Sequence, residues 1–308
     1  MQFLHVSKKS IKQLGELYQP NTLSSFRNAW QRHFSEIGSK IDIKKDKEFE
    51  RSRKVLSTRR KELTSKGLGN KPKTTRPLTD AEVDYLFDTN YFGVISPISL
   101  QRAVWWKLTT SFGYRGRDES RKLCFGDIKL CVDEDGAKYL EWDKERGSKT
   151  RTGEFSHSHQ RSFNPRAYAI SLQQQCPVAI YTAFVKRRPA SSCIPDAPFF
   201  LAMIPQSRIR TNVWYYDRPL GKNLIGEFLS NASQALKNCP ISSVASDIEQ
   251  SKSRSKIANH SARKTAVTAL LGNNIDPIHV AQLSGHKSKE SLNSYHTASS
   301  VQQRRFSN

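Results

Sequence analysis

Six residues of this 308-residue chain are of the types that can move a phosphoryl group without a metal. His260 and Arg263 stand at i and i+3, so on a helix both side chains project from one face. They fall at a predicted helix start, where free backbone N–H groups and the dipole favour an anion. His286 follows Gly285 twenty-three residues after Arg263, and Tyr295 comes nine residues later. Upstream, Arg115 sits in Gly113-Tyr114-Arg115-Gly116, where one predicted helix stops and another begins. Lys149 stands at the tip of a predicted hairpin. Arginine forks bind non-bridging phosphate oxygens in pairs. Histidine donors stabilise the charge that builds on a five-coordinate phosphorus. A tyrosine supplies the oxygen nucleophile, and a lysine protonates the departing alkoxide.

These residues need elements to hold them. After Asn21, read as an N-cap, Leu23, Phe26, Trp30, Phe34 and Ile37 recur at helical spacing until Gly38. A shorter helix is predicted before it, from Ser7 to about Leu17. A third helix is predicted from Asp46 to about Ser65, with Phe49, Leu56 and Leu63 seven apart. Residues 67–77 carry Gly, Pro and Lys with almost nothing apolar and read as a linker. Thr79 and Glu82 fit a capping box, and Leu100, Val104, Leu108 and Phe112 mark the next helix, which Gly113 ends. The period then changes: Ile128–Val132 and Tyr139–Trp142 flank Asp135-Gly136, a hairpin signal. Phe199–Ile204 is at most a buried strand. Helices are predicted again at Pro177–Lys186, about Asn223–Leu236, Asn259–Leu271, Asp276–Ser284 and Ser288–Tyr295, with a polar loop over Ser242–Lys256. The expected fold is mostly α with one small antiparallel β-sheet, divided at the linker into residues 1–75 and 76–308.

Composition narrows the classes. The formal charge is +22, of which residues 1–75 hold +11 and residues 252–308 hold +7. Such an excess points to a polyanion, because each Lys or Arg placed on a phosphate releases condensed counterions. No segment approaches the roughly 18 apolar residues of a membrane span, and the N-terminus does not read as a secretory signal. Five scattered cysteines without a C-x-x-C pair argue against a disulfide scaffold or a zinc module and for a reducing compartment. His157-Ser158-His159 has no carboxylate or cysteine cluster beside it and reads as a solvated loop.

H-x-x-R, then Gly-His 23 residues after the arginine, then Tyr nine residues on, resembles the tyrosine recombinase (phage integrase) superfamily. The wording is closest to its Crypton-type, transposon-encoded branch. The matching stretches are Tyr114-Arg115-Gly116 with Asp118-Glu119 and Phe125-Gly126-Asp127 after it, Ser148-Lys149-Thr150-Arg151-Thr152-Gly153, and Asn259-His260-Ser261-Ala262-Arg263-Lys264-Thr265. The resemblance covers residues 76–308; over 1–75 it rests on shape and charge. The chain departs from the family in its short N-terminal unit and in the long gap between Arg115 and His260.

The resemblance implies a recombinase catalytic fold preceded by a small helical DNA-binding domain, the two closing as a clamp around the duplex. It implies that Tyr295 attacks a DNA phosphodiester, forming a 3′-phosphotyrosyl bond and freeing a 5′-hydroxyl. Arg115, Arg263, His260 and His286 would hold the scissile phosphate and Lys149 would protonate the leaving oxygen, with Lys144, Arg146 and Arg151 competing for that place. It implies no metal and no nucleotide cofactor. Its partners would be double-stranded DNA and further copies of itself, as a tetramer on two DNA sites, in the nucleus of a eukaryotic host. The rival reading is a domesticated, non-cutting DNA-binding protein that keeps the fold. Residues 276–295 alone would also pass for a helix-turn-helix.

Overall fold

The computed structural model describes residues 17–69, 75–114, 118–144, 163–239, 257–286, 289–293 and 295. The chain divides into two compact units, Met1–Thr74 and Thr75–Asn308. Arg115 and Lys149 lie outside the described residues, as do the helix predicted before residue 17, His157 and His159, the whole of the 242–256 loop and the segment after Tyr295.

In the first unit, α1 (Pro20–Glu36) and α2 (Glu50–Ser65) are described. Helix α1 starts one residue before Asn21, with Pro20 in the first turn, where a missing N–H costs nothing. The predicted third helix is a single 3₁₀ turn (Lys47–Phe49) running into α2. Between the helices, Gln31 donates to Ile41 O and accepts from Ile43 N. Arg53 donates to the carbonyls of Ile43 and Asp46 at 3.1 and 2.8 Å, so it serves the loop rather than an exposed basic face. Leu56 and Leu63 are buried, whereas Phe26, Trp30 and Ile37 are not. The apolar stripe of α1 is therefore correct in period but has too little facing it, among the described residues of this unit, to be covered.

The second unit holds α3 (Asp80–Asp88), α4 (Pro97–Phe112), α5 (Asp118–Lys122), β1 (Ile128–Val132), β2 (Lys138–Trp142), β3 (Arg166–Tyr168), α6 (Pro177–Lys186), β4 (Leu201–Met203), β5 (Tyr215–Pro219), α7 (Lys222–Glu227), α8 (Ala232–Ala235), α9 (Asn259–Gly272) and α10 (Pro277–Ser284). The fold is mostly helical with small antiparallel sheets. Among the described residues there are two of these where one was expected: β1-β2-β3, and β4 paired with β5. In the first, Leu130 pairs with Leu140 and Leu140 with Ala167. The second joins two consecutive strands of three and five residues across the connection 204–214, which carries no tight-turn signal. The predicted helix over 223–236 is broken into α7, a turn and α8.

Local chemistry places the helix ends. Thr79 and Glu82 form the reciprocal capping box of α3, and Arg76 grips the Glu82 carboxylate through both of its terminal nitrogens. Burial pushes the Glu82 carboxyl up, but Arg76 and the Thr79 N–H hold it below the usual carboxylate range. Asp276 caps α10 by accepting from Ile278 N at 2.6 Å. The core is built on α4, whose Leu100, Ala103, Trp105, Leu108 and Phe112 are almost wholly enclosed. Trp105 Nε1 donates to Ser120 Oγ of α5, and Trp106 stacks on Phe92. The Phe125-Gly126-Asp127 word is a packing device. Asp127 accepts from Cys124 N, Phe125 N donates to Ala197 O, and a Cβ on Gly126 would meet Pro195 Cα at 2.8 Å. No helix among the described residues is long and apolar enough to cross a membrane.

Candidate nucleic-acid cleavage site

Helix α9 carries the first half of the site, and each letter of its opening word has a place. Asn259, buried, donates to Ile225 O at 2.6 Å and accepts from Leu229 N at 3.0 Å, fixing the helix start to α7 and the turn after it. Ser261 Oγ accepts from Ala258 N and Ala262 is fully enclosed. Lys264 donates to Thr75 O, and Thr265 Oγ1 accepts from Leu78 N at 2.8 Å, which ties the entry segment of the unit to the same helix. Two residues remain. His260 is exposed, and Arg263, one turn on along the same face, is 3% exposed.

Arg263 reaches two other segments. Its Nη1 donates to the carbonyl of Gly113, and its Nη2 lies 3.4 and 3.3 Å from Nδ1 and Nε2 of His286. A single nitrogen so nearly equidistant from both ring nitrogens does not favour either of them. Gly113 ends α4 at φ 63°, and a Cβ there would stand 3.0 Å from Ser284 Cα. The end of α4, the end of α10 and the Arg263 guanidinium thus meet at one glycine. Arg115 follows two residues later in the sequence.

His286 is placed by the C-terminus of α10. Gly285 takes a left-handed conformation, φ 65°. His286 N donates to Ala281 O and Gly285 N to Gln282 O, the pair of hydrogen bonds by which a glycine wraps the chain back over a helix end. The imidazole comes to lie against Ser284 Oγ, 2.6 Å from Nδ1.

Tyr295 follows a 3₁₀ turn, Lys289–Leu292, rather than riding on a helix to its last residue; its N–H donates to Leu292 O. Its ring packs with Val267, Leu271, Val280, Ala281 and Leu292 in a small cluster of its own and meets the His286 ring edge-on, centroids 5.2 Å apart. Its hydroxyl is 3.5 Å from His260 Nε2. That is longer than a well-formed hydrogen bond, so the hydroxyl is beside His260 without being locked to it. Tyr114, next to Arg115 in sequence, is 1% exposed, and burial raises its phenol far above the usual range, so it is a poor competitor as nucleophile.

Four residues singled out by spacing, His260, Arg263, His286 and Tyr295, are therefore brought together. Three that hold them were not foreseen in these roles: Ser284, the Gly113 carbonyl and Asn259. The only local signal for Ser284 is its place in Ser284-Gly285-His286, where a helix-ending glycine turns residue i+2 back onto residue i.

The chain belongs to the family described as a domain of unknown function, DUF3504, which matches residues 77–234. That match includes Arg115 and Lys149 and stops short of the other four. None of the curated proteins matches the chain. Among solved structures it is similar to the Tn1549 transposon integrase in complex with a circular intermediate DNA, at 14% identity over 96% of this chain and 87% of that one, TM-score 0.43. It is also similar to XerH site-specific recombinase bound to difH substrate, at 10% identity, 94% and 70% coverage, TM-score 0.42. A lambda integrase dimer bound to a COC′ core site aligns at 16% identity, 91% and 80% coverage, TM-score 0.38.

Proposed function

We propose that the chain is a tyrosine-type DNA strand transferase of the recombinase superfamily, Crypton-like in the wording of its motifs. Tyr295 Oη attacks the phosphorus of a DNA phosphodiester; the new bond is a 3′-phosphotyrosine, and the bond to the 5′-oxygen breaks. The tyrosyl proton has His260 Nε2 beside it, and Lys149 returns a proton to the 5′-oxygen. Arg115, Arg263 and His286 neutralise the five-coordinate phosphorus. Rejoining is the same step in reverse with a different 5′-hydroxyl, so no bond energy is lost. Strand exchange uses four protomers on two duplexes, with residues 1–75 as the small basic DNA-binding domain and 76–308 as the catalytic domain. In a eukaryotic host the protein works in the nucleus.

The single observation that supports this reading best is the meeting of Arg263, His286, His260 and the Tyr295 hydroxyl. A surface arginine or a packing tyrosine needs none of these neighbours.

A nicked suicide duplex at low salt tests the reading. Wild type is expected to give a protease-sensitive protein–DNA band on a denaturing gel that Tyr295→Phe lacks. No band from wild type, with binding shown independently, would favour a DNA-binding protein that keeps the fold without cutting.

A further inference from the structure

His286 presents two ring nitrogens, and only one can face a phosphate. We propose that Ser284 is the positioning residue that sets the tautomer and orientation of the His286 ring; the purpose of that ring rests on the strand-transfer reading. Ser284 is the last residue of α10 and is 2% exposed. Its Oγ donates to Val280 O, one turn back, and a serine hydroxyl has one proton to give. The same oxygen lies 2.6 Å from His286 Nδ1, so towards the imidazole it acts as acceptor and Nδ1 carries the hydrogen. The neutral ring is then the Nδ1–H form, with its lone pair on Nε2.

Two other contacts of the ring do not separate its nitrogens. Arg263 Nη2 is almost as close to Nδ1 as to Nε2, and Tyr295 meets the ring edge-on in a packing contact. The Ser284 hydroxyl is close to Nδ1 alone, and the left-handed Gly285 turns residue 286 back towards it. In general the partner of one imidazole nitrogen decides what the other can do.

Long-range ¹H–¹⁵N correlation of the imidazoles in the ¹⁵N-labelled full chain tests this, with His286→Gln to assign the signal. Wild type above the His286 titration is expected to show a protonated Nδ1 and an unprotonated Nε2. Ser284→Ala should lose that pattern in favour of the Nε2–H form common in free imidazole, and Ser284→Thr, which keeps a hydroxyl, should restore it. An Nε2–H form in wild type overturns the proposal without any variant, and so does a Ser284→Ala protein with the wild-type pattern. On the suicide duplex, Ser284→Ala should form adduct roughly 10- to 100-fold more slowly at unchanged DNA affinity, with recovery in Ser284→Thr. An unchanged rate overturns the functional half. The Nδ1–H pattern in a wild type that forms no adduct would sink strand transfer and leave the Ser284 assignment standing.

Discussion

Arg263 carries a charge into a nearly closed place, with a backbone carbonyl on one nitrogen and the His286 imidazole beside another. On the strand-transfer reading, a guanidinium held that way is set before the phosphate arrives, which is where transition-state stabilisation comes from. Arg263→Ala should therefore cut the single-turnover rate of adduct formation by about 10²- to 10³-fold. Duplex affinity should fall by less than about tenfold, since on that reading Arg263 is one phosphate contact among many. Equal losses in rate and affinity would make Arg263 a mere anchor. At this scale the types and spacing of the four gathered residues were legible in the chain. Their support was not: the Gly113 carbonyl is 150 residues from Arg263, and no local pattern connects them.

The elements act through where their ends meet. Gly113→Ala should destabilise the second unit by about 1–2 kcal/mol from the left-handed backbone alone, with added crowding against Ser284 Cα. Because the same residue receives Arg263, adduct formation should fall more than thermal stability does, which calorimetry and the suicide duplex together can show. Away from the site, Lys107 of α4 donates to Gln175 and lies over the Phe87 ring. Burial drives its pKa down to about 8 from 10.5, with Cys176 and Asp84 pulling the other way. A lysine whose folded pKa is lowered opposes folding fully below pH 8, and the opposition fades between pH 8 and 10.5, where only the unfolded chain holds the proton. Lys107→Met should thus be the more stable protein at pH 7, by about 2 kcal/mol, and its advantage in urea should shrink towards pH 10. A constant difference across that range would contradict the burial argument. Caps and the Asp135-Gly136 turn were readable because each is settled within a few residues. The β4–β5 pairing, the break between α7 and α8 and the 3₁₀ approach to Tyr295 were not, because tertiary contacts decide them. Asn259 bonding to Ile225 and Leu229 is one such contact.

For the whole molecule, the charge of +22 is the dominant fact, and half of it belongs to the first quarter of the chain. If DNA is the partner, affinity should fall along a log–log line against salt, with a slope steeper than about −4, as five or more phosphate contacts require. A flat response would remove the polyanion argument. The mostly helical class could be read from periodicity. The incomplete covering of α1, with Phe26 and Trp30 still near half exposed, could not, since a helical stripe says which face is apolar and not how much lies against it. The most direct test of the central claim is to trap wild type on a suicide duplex, digest both protein and DNA, and locate the nucleotide-bearing peptide by mass spectrometry. Strand transfer by Tyr295 requires a nucleotide linked through phosphate to that residue. Linkage to any other residue, or none from a protein shown to be bound, would contradict it.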